Sequence, residues 1–231
     1  MRHTLTFAGI DLADYGVYYD GSELWRTPEK IIDFYSIPGR SGDVGISQNK
    51  YSNITRPFNC CIRSNFRSNF SGLVNALSNV EGYGRLETSE EPDVYMMASF
   101  YDEIQPDLGQ FNERGIFTLS FNFQPQKWLK SGEEAIEITS EDTLVNPTSQ
   151  TAFPLILVAG TGTITINDSV LTLAENSSVT TIDCETQDCY EGTINRNSDL
   201  TVVGGFPVLG PTNNISVDGC TISIKPRWWR L

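Results

Sequence analysis

The segment Phe117-Thr118-Leu119-Ser120-Phe121-Asn122-Phe123 sets the tightest limit on what this chain can fold into. Large apolar side chains occupy every second position with short polar ones between them. Only an extended strand with one buried and one wet face satisfies that order. The theme returns in shorter form at Ile136/Ile138, Ile164/Ile166, Leu171/Leu173 and Ile222/Ile224. Turn chemistry separates these runs. Asn167-Asp168-Ser169 lies between Ile164–Ile166 and Val170–Leu173, and Asp218-Gly219 lies between Ile215–Val217 and Cys220–Ile222; each reads as a tight hairpin.

One stretch departs from period two. Phe66, Phe70, Leu73, Val74 and Leu77 share an arc of about 100° at helical spacing, opposite Arg67, Ser71, Asn75 and Ser78. This predicts one short amphipathic helix, capped by Asn65 or Ser64 and followed by Gly82. Gly72 weakens it by about 1 kcal/mol relative to alanine, so the helix needs a sheet to pack on.

At about 150 residues per domain, 231 residues predict one or two domains. The aromatic strand ends at Leu129-Lys130-Ser131-Gly132-Glu133-Glu134, and a boundary there gives domains 1–131 and 132–231. Beyond it the chain reads as strands only, about eight short ones with turn residues between, the spacing of a β-sandwich. The expected fold class is therefore mainly β with one helix.

Charge and reactive residues narrow the chemistry. Sixteen basic and 29 acidic residues give a net charge of −13. A protein that grips DNA or RNA tightly needs cations to displace counterions from phosphate, so tight nucleic-acid binding is not expected. No run approaches the ~20 apolar residues of a membrane helix, and the first residues lack a signal peptide's apolar core, so neither membrane insertion nor export is expected. The single histidine, His3, stands at the N-terminal edge, and neither a GxSxG elbow nor a phosphate-cradling glycine loop is present. No catalytic set, metal site or cofactor is expected. The acidic runs Glu87/Glu90/Glu91/Asp93 and Asp183/Glu185/Asp188/Glu191 lack calcium-loop spacing and read as solvated turns. Among the five cysteines, Cys60 and Cys220 alternate onto apolar faces as small core residues, while Cys184 and Cys189 stand close enough in sequence to bridge across a turn.

The order of several motifs then becomes specific. Phe34-Tyr-Ser-Ile-Pro-Gly-Arg-Ser-Gly-Asp43 precedes the helix; Tyr83-Gly-Arg-Leu-Glu87, Asp93-Val-Tyr-Met-Met-Ala98 and the Phe117–Phe123 strand, with Pro125 and Trp128, follow it. Farther on come Asn146-Pro147, Pro154, Thr181-Ile-Asp-Cys-Glu-Thr-Gln-Asp-Cys-Tyr190, Gly205-Phe-Pro-Val-Leu209, Asn214-Ile215 and Pro226-Arg-Trp-Trp229. End to end, this order resembles the distal tail (Dit) protein family, tail-hub and baseplate components of long-tailed siphophages.

The resemblance implies an N-terminal β-sandwich-like domain with a helix and an extended arm, and a C-terminal galectin-like β-sandwich. It implies a structural virion protein at the tail tip, made in the bacterial cytoplasm, whose N-terminal domains close into a homo-hexamer ring. That ring would join the tail tube protein to a tail-tip hub protein and a receptor-binding protein, with DNA passing through its channel. Ring closure requires two different surfaces of one subunit to meet head to tail. The candidates for one of them lie in the arm: Pro38, Gly39, Arg40, Ser41 and Gly42, with Tyr51 and Arg56. The alternative is a carbohydrate-binding module that recognises host wall polysaccharide through residues 132–231. Trp228 and Trp229 are its candidate glycan contacts, although alternation turns one of them into the core.

Overall fold

The computed structural model describes residues 3–20, 26–109, 113–174 and 178–231. Among these the chain is mostly strand, with one α-helix, and its sheets are built largely of antiparallel pairs. It divides into two compact units, residues 1–127 with Leu231, and Trp128–Arg230.

The first unit contains β1 (Leu5–Phe7), β2 (Ile10–Asp11), β3 (Val17–Tyr19), β4 (Lys30–Tyr35), β5 (Val44–Tyr51), β6 (Ile54–Ile62), α1 (Phe66–Ser78), β7 (Gly84–Thr88), β8 (Val94–Phe100) and β9 (Asp107–Gly109). It also holds nearly all of β10 (Arg114–Leu129). Its main sheet runs β2-β1-β7-β8-β10-β6-β3, with β9 also paired to β10. The alternating strand predicted from Phe117–Phe123 is the middle of β10, and all four of its large apolar residues are buried. Phe121 and Phe123 pack tilted against each other and edge-on or tilted against Phe58, and Phe121 also packs edge-on against Phe7. Phe66, Leu73 and Leu77 from α1 join the same core, and Gly72 lets the helix approach the Tyr15 ring, where an added Cβ would lie 3.1 Å from Cε1.

The helix start corrects one expectation. Asn65 takes the left-handed conformation, φ 51°, and its side chain makes no capping bond. The chain must reverse sharply there after leaving β6. Glu113 holds the junction instead: its carboxylate accepts from the Asn65 N–H and its carbonyl from the Phe66 N–H, both at 3.4 Å.

The second unit begins with β11 (Ile136–Ile138), β12 (Glu141–Val145), β13 (Leu155–Ala159), β14 (Gly162–Ile166), β15 (Ser169–Leu173) and β16 (Val179–Asp183). It continues through β17 (Asp188–Glu191), β18 (Ile194–Asn195), β19 (Leu200–Val203), β20 (Thr212–Asp218), β21 (Thr221–Lys225) and β22 (Trp229–Arg230). Two sheets, β11-β21-β13-β16-β17-β18 and β12-β20-β14-β15-β19, supply the side chains of one core, so this unit is a β-sandwich. Cys60 and Cys220 are core residues as expected. Cys184 and Cys189 are buried free thiols and do not bridge.

The Asn167-Asp168 hairpin forms as read, pairing Ile166 with Ser169. Asp218-Gly219 does not make a hairpin. β20 pairs with β12 and β14, whereas β21 pairs with β11 and β13, so this turn carries the chain from one sheet to the other. A second crossing, Gly160-Thr161-Gly162, lies directly against it. A Cβ on Gly162 would sit 2.1 Å from the Asp218 carbonyl oxygen, and Gly219 has φ +80°. Two crossing backbones this close leave no room for a side chain, and that contact is tertiary.

The acidic runs are also more than solvated turns. Glu91 is buried and accepts from Lys127 Nζ at 2.6 Å; Asp183 is buried and takes Arg227 through both oxygens, at 2.8 and 2.9 Å. Glu191 and Asp199 hold Arg196. Among the described residues no cluster of three or more metal-ligating side chains occurs, and no helix is long and apolar enough to cross a membrane.

Candidate functional site

The arm is a separate two-stranded sheet formed by β4 and β5, and neither strand pairs with the main sheet. Asp33 faces Ile46, Phe34 faces Gly45 and Tyr35 faces Val44. Because side chains alternate across a strand, Ile32 and Phe34 occupy one face of this ribbon, and Tyr35 and Ile46 the other. All four are exposed, Phe34 at 67% and Ile46 at 56%. Gly45 makes room for the first pair, lying within 3.2 Å of both the Ile32 and Phe34 side chains when given a Cβ. A ribbon of two strands with apolar groups on both faces and no layer beneath either is marginal by itself in water.

At the tip, Pro38, Gly39, Arg40, Ser41 and Gly42 are all exposed, and the Arg40 N–H closes a turn onto the Ile37 carbonyl at 3.1 Å. Tyr51 lies half-buried at the base, in register with Lys30. The Ser52 N–H donates to the Glu29 carbonyl and fastens the two legs together.

Arg56 belongs elsewhere. It lies on β6 inside the core of the first unit, only 2% exposed, and so presents nothing to a neighbouring subunit. Its guanidinium donates to the Arg26 carbonyl oxygen at 2.9 Å, contacts Met96 Sδ at 3.1 Å and lies 5.0 Å from the centre of the Phe123 ring. Burial lowers its pKa, with the Glu91 carboxylate opposing. Arg26 stands four residues before β4, so Arg56 pins the root of the arm to the main sheet. The alternation Ile54, Arg56, Phe58, Cys60, Ile62 already placed Arg56 on the inward face.

The arm candidates read from the sequence begin at Pro38 and so leave out Ile32, Phe34 and Tyr35, which belong to the same ribbon. The run Lys30-Ile-Ile-Asp-Phe-Tyr35 carries the signal, a strand with no consistently apolar face to offer one core.

The two tryptophans divide as alternation requires. Trp228 is buried in the sandwich core, and its carbonyl accepts from the Leu129 N–H at 2.8 Å. Trp229 is half-buried, its indole N–H donating to the Thr151 carbonyl at 2.9 Å. Trp228 and Trp229 therefore do not form an exposed pair on which a sugar could stack.

A largely antiparallel β fold of two units, the first with a helix and a free-standing hairpin, is the class these features define, and folds similar to it occur in phage baseplate structures. The structure is similar to the SPP1 Dit (gp 19.1) protein, described as a paradigm of the hub adsorption apparatus in phages infecting Gram-positive hosts. The TM-score is 0.77 at 14% identity, covering 97% of this chain and 98% of that one. It is also similar to chains of the phage p2 baseplate in its activated conformation. The strontium form gives a TM-score of 0.53 at 10% identity over 100% of this chain and 98% of that one. The calcium form gives 0.51 at 10% identity over 96% and 97%. At these identities the likeness is one of fold. No protein-family model matches the chain, and no curated protein matches it in sequence.

Proposed function

We propose that this chain is a structural hub protein at the distal end of a long non-contractile phage tail, acting without turnover. The observation that carries this is the single match of both units together, over 97% of this chain and 98% of the SPP1 hub protein. A likeness confined to the sandwich would fit many β domains; one that includes the helix, the arm and the order of both units fits a hub component.

In this reading the domain of residues 1–131 closes into a six-membered ring, and the arm supplies one of its two unlike surfaces. The galectin-like sandwich of residues 132–231 is the platform on which other tail components dock. The tail tube protein, a tail-tip hub protein and a receptor-binding protein are its partners, and the virion tail tip is its location. The net charge of −13 suits a ring through which DNA passes without being held.

Molar mass by light scattering behind size exclusion, over a concentration series, tests the ring. A species near 154 kDa, six times 25.7 kDa, is expected. A monomer at every concentration overturns self-assembly into a ring.

A further inference from the structure

We propose that the arm of one copy seats in a groove at the far end of the main sheet of the next copy, where Cys61 and Ile116 form the floor. This rests on the head-to-tail ring above and names its receiving surface.

The groove encloses about 340 Å³ and is walled by β6, β9 and β10. Cys61 and Ile116 are direct register partners on the face turned away from α1. Gly115 and Phe117, the neighbours of Ile116 along β10, point the other way, toward Phe66 on the helix. Ile116 is therefore left 63% exposed in the middle of a paired sheet, with Asp107, its register partner on β9, on the same face. A β-branched apolar side chain set so openly on a central strand is ready to be covered.

Charge selects what covers it. Arg63 and Arg114 rim the groove, and neither makes an ion pair among the described residues; the Arg63 guanidinium lies 4.6 Å from the centre of the Tyr18 ring. The arm offers the complement: Asp33 lies directly across from Ile46 on the Tyr35/Ile46 face, and Asp43 precedes Val44 at the tip. Asp107 on the groove and Arg40 at the arm tip supply the reverse pair. Apolar surface flanked by opposite charges on the two sides fixes register as well as contact.

Position makes the contact head to tail. The arm returns to the sheet at Ile54, the start of β6, and the groove lies at its end, Ile62. Eight steps of about 3.3 Å each separate the two surfaces by about 26 Å. Ile46 and Ile116 are both exposed in one chain, so a subunit does not fill its own groove with its own arm. Donor and acceptor at opposite ends of one strand generate a heterologous interface.

Two variants test this together. Ile46→Asp removes the arm's anchor and Ile116→Asp the groove's; both positions are exposed, so circular dichroism should show folded protein. Each alone should run as a monomer of 25.7 kDa, while wild type forms the ring. An equimolar mixture still holds one intact arm and one intact groove, and should give dimers near 51 kDa, twice 25.7. Separately, Ile46→Cys should link to Cys61 of the next copy under mild oxidation, giving a non-reducing ladder that Cys61→Ser abolishes. A full-mass ring in Ile116→Asp, or an intact ring in which neither Ile46→Cys nor Tyr35→Cys links to Cys61, overturns the groove and leaves the ring standing. A wild-type chain that stays monomeric at every concentration overturns both.

Discussion

Arg56 carries a positive charge into the core, and its surroundings explain why it is tolerated. The guanidinium replaces water with a backbone carbonyl, a sulfur and an aromatic face, and desolvation is offset only if these stay in place. Arg56→Ala should cost about 3 kcal/mol of unfolding free energy in urea, because it removes the bond to Arg26 and leaves a cavity. Arg56→Lys should recover only part, since an ammonium cannot serve all three contacts from one plane. Both should loosen the arm root and weaken assembly.

Asp183 shows the same scale at work in the second unit. Burial alone raises its carboxyl pKa, but the Arg227 guanidinium and the N–H groups of Glu185 and Thr186 outweigh that, and the net shift is downward from 3.8. A depressed carboxylate contributes stability that is complete above its unfolded value and is lost as pH falls through the lower folded one. The window is therefore pH 4 and below. Arg227→Gln should move the acid unfolding midpoint of the sandwich upward, followed by tryptophan fluorescence; an unchanged midpoint would mean that this pair contributes nothing to acid stability.

At the scale of elements, the helix and the arm are opposites. Three buried residues tie α1 into an aromatic core, whereas β4 and β5 pair only with each other. Local opening free energies follow such differences in buried apolar contact. In the dissociated protein the backbone amides of 30–51 should exchange with deuterium far faster than those of β6 and β10, and they should become protected at concentrations where the ring forms. Deleting residues 38–48, or Arg40→Glu, should abolish oligomers while the monomer keeps its unfolding midpoint. Equal exchange in both states would place the arm outside the interface.

For the whole molecule the decisive fact is two separate cores, one built around Phe58, Phe121 and Phe123, the other around Ile156, Ile164 and Ile224. Each buries its own apolar residues, so residues 128–231 expressed alone should unfold cooperatively in urea; a non-cooperative profile would mean that the sandwich depends on the first unit. How much of this was legible beforehand varied with how local the cause was. Phe117–Phe123 and the Phe66–Leu77 helix show in the sequence because each owes its form to spacing along a few residues. Asp218-Gly219 misled because a turn residue states only that the chain bends; whether it joins two strands of one sheet or crosses to another depends on Gly162, more than fifty positions away. Arg56 was assigned by its charge to a surface, when its place on the alternating face of β6 already put it inside.

By itself, then, the sequence determined a mainly β protein with one helix and a polar, glycine-rich arm around Pro38–Gly42, because periodicity and residue chemistry are carried by neighbours in the chain. Only the tertiary structure decided that this segment is a ribbon with both faces bare, that Ile116 stands uncovered at the other end of the sheet, and that buried carboxylates hold Lys127 and Arg227. Those depend on which distant strands pair and which face each pairing leaves open, and no local pattern encodes that.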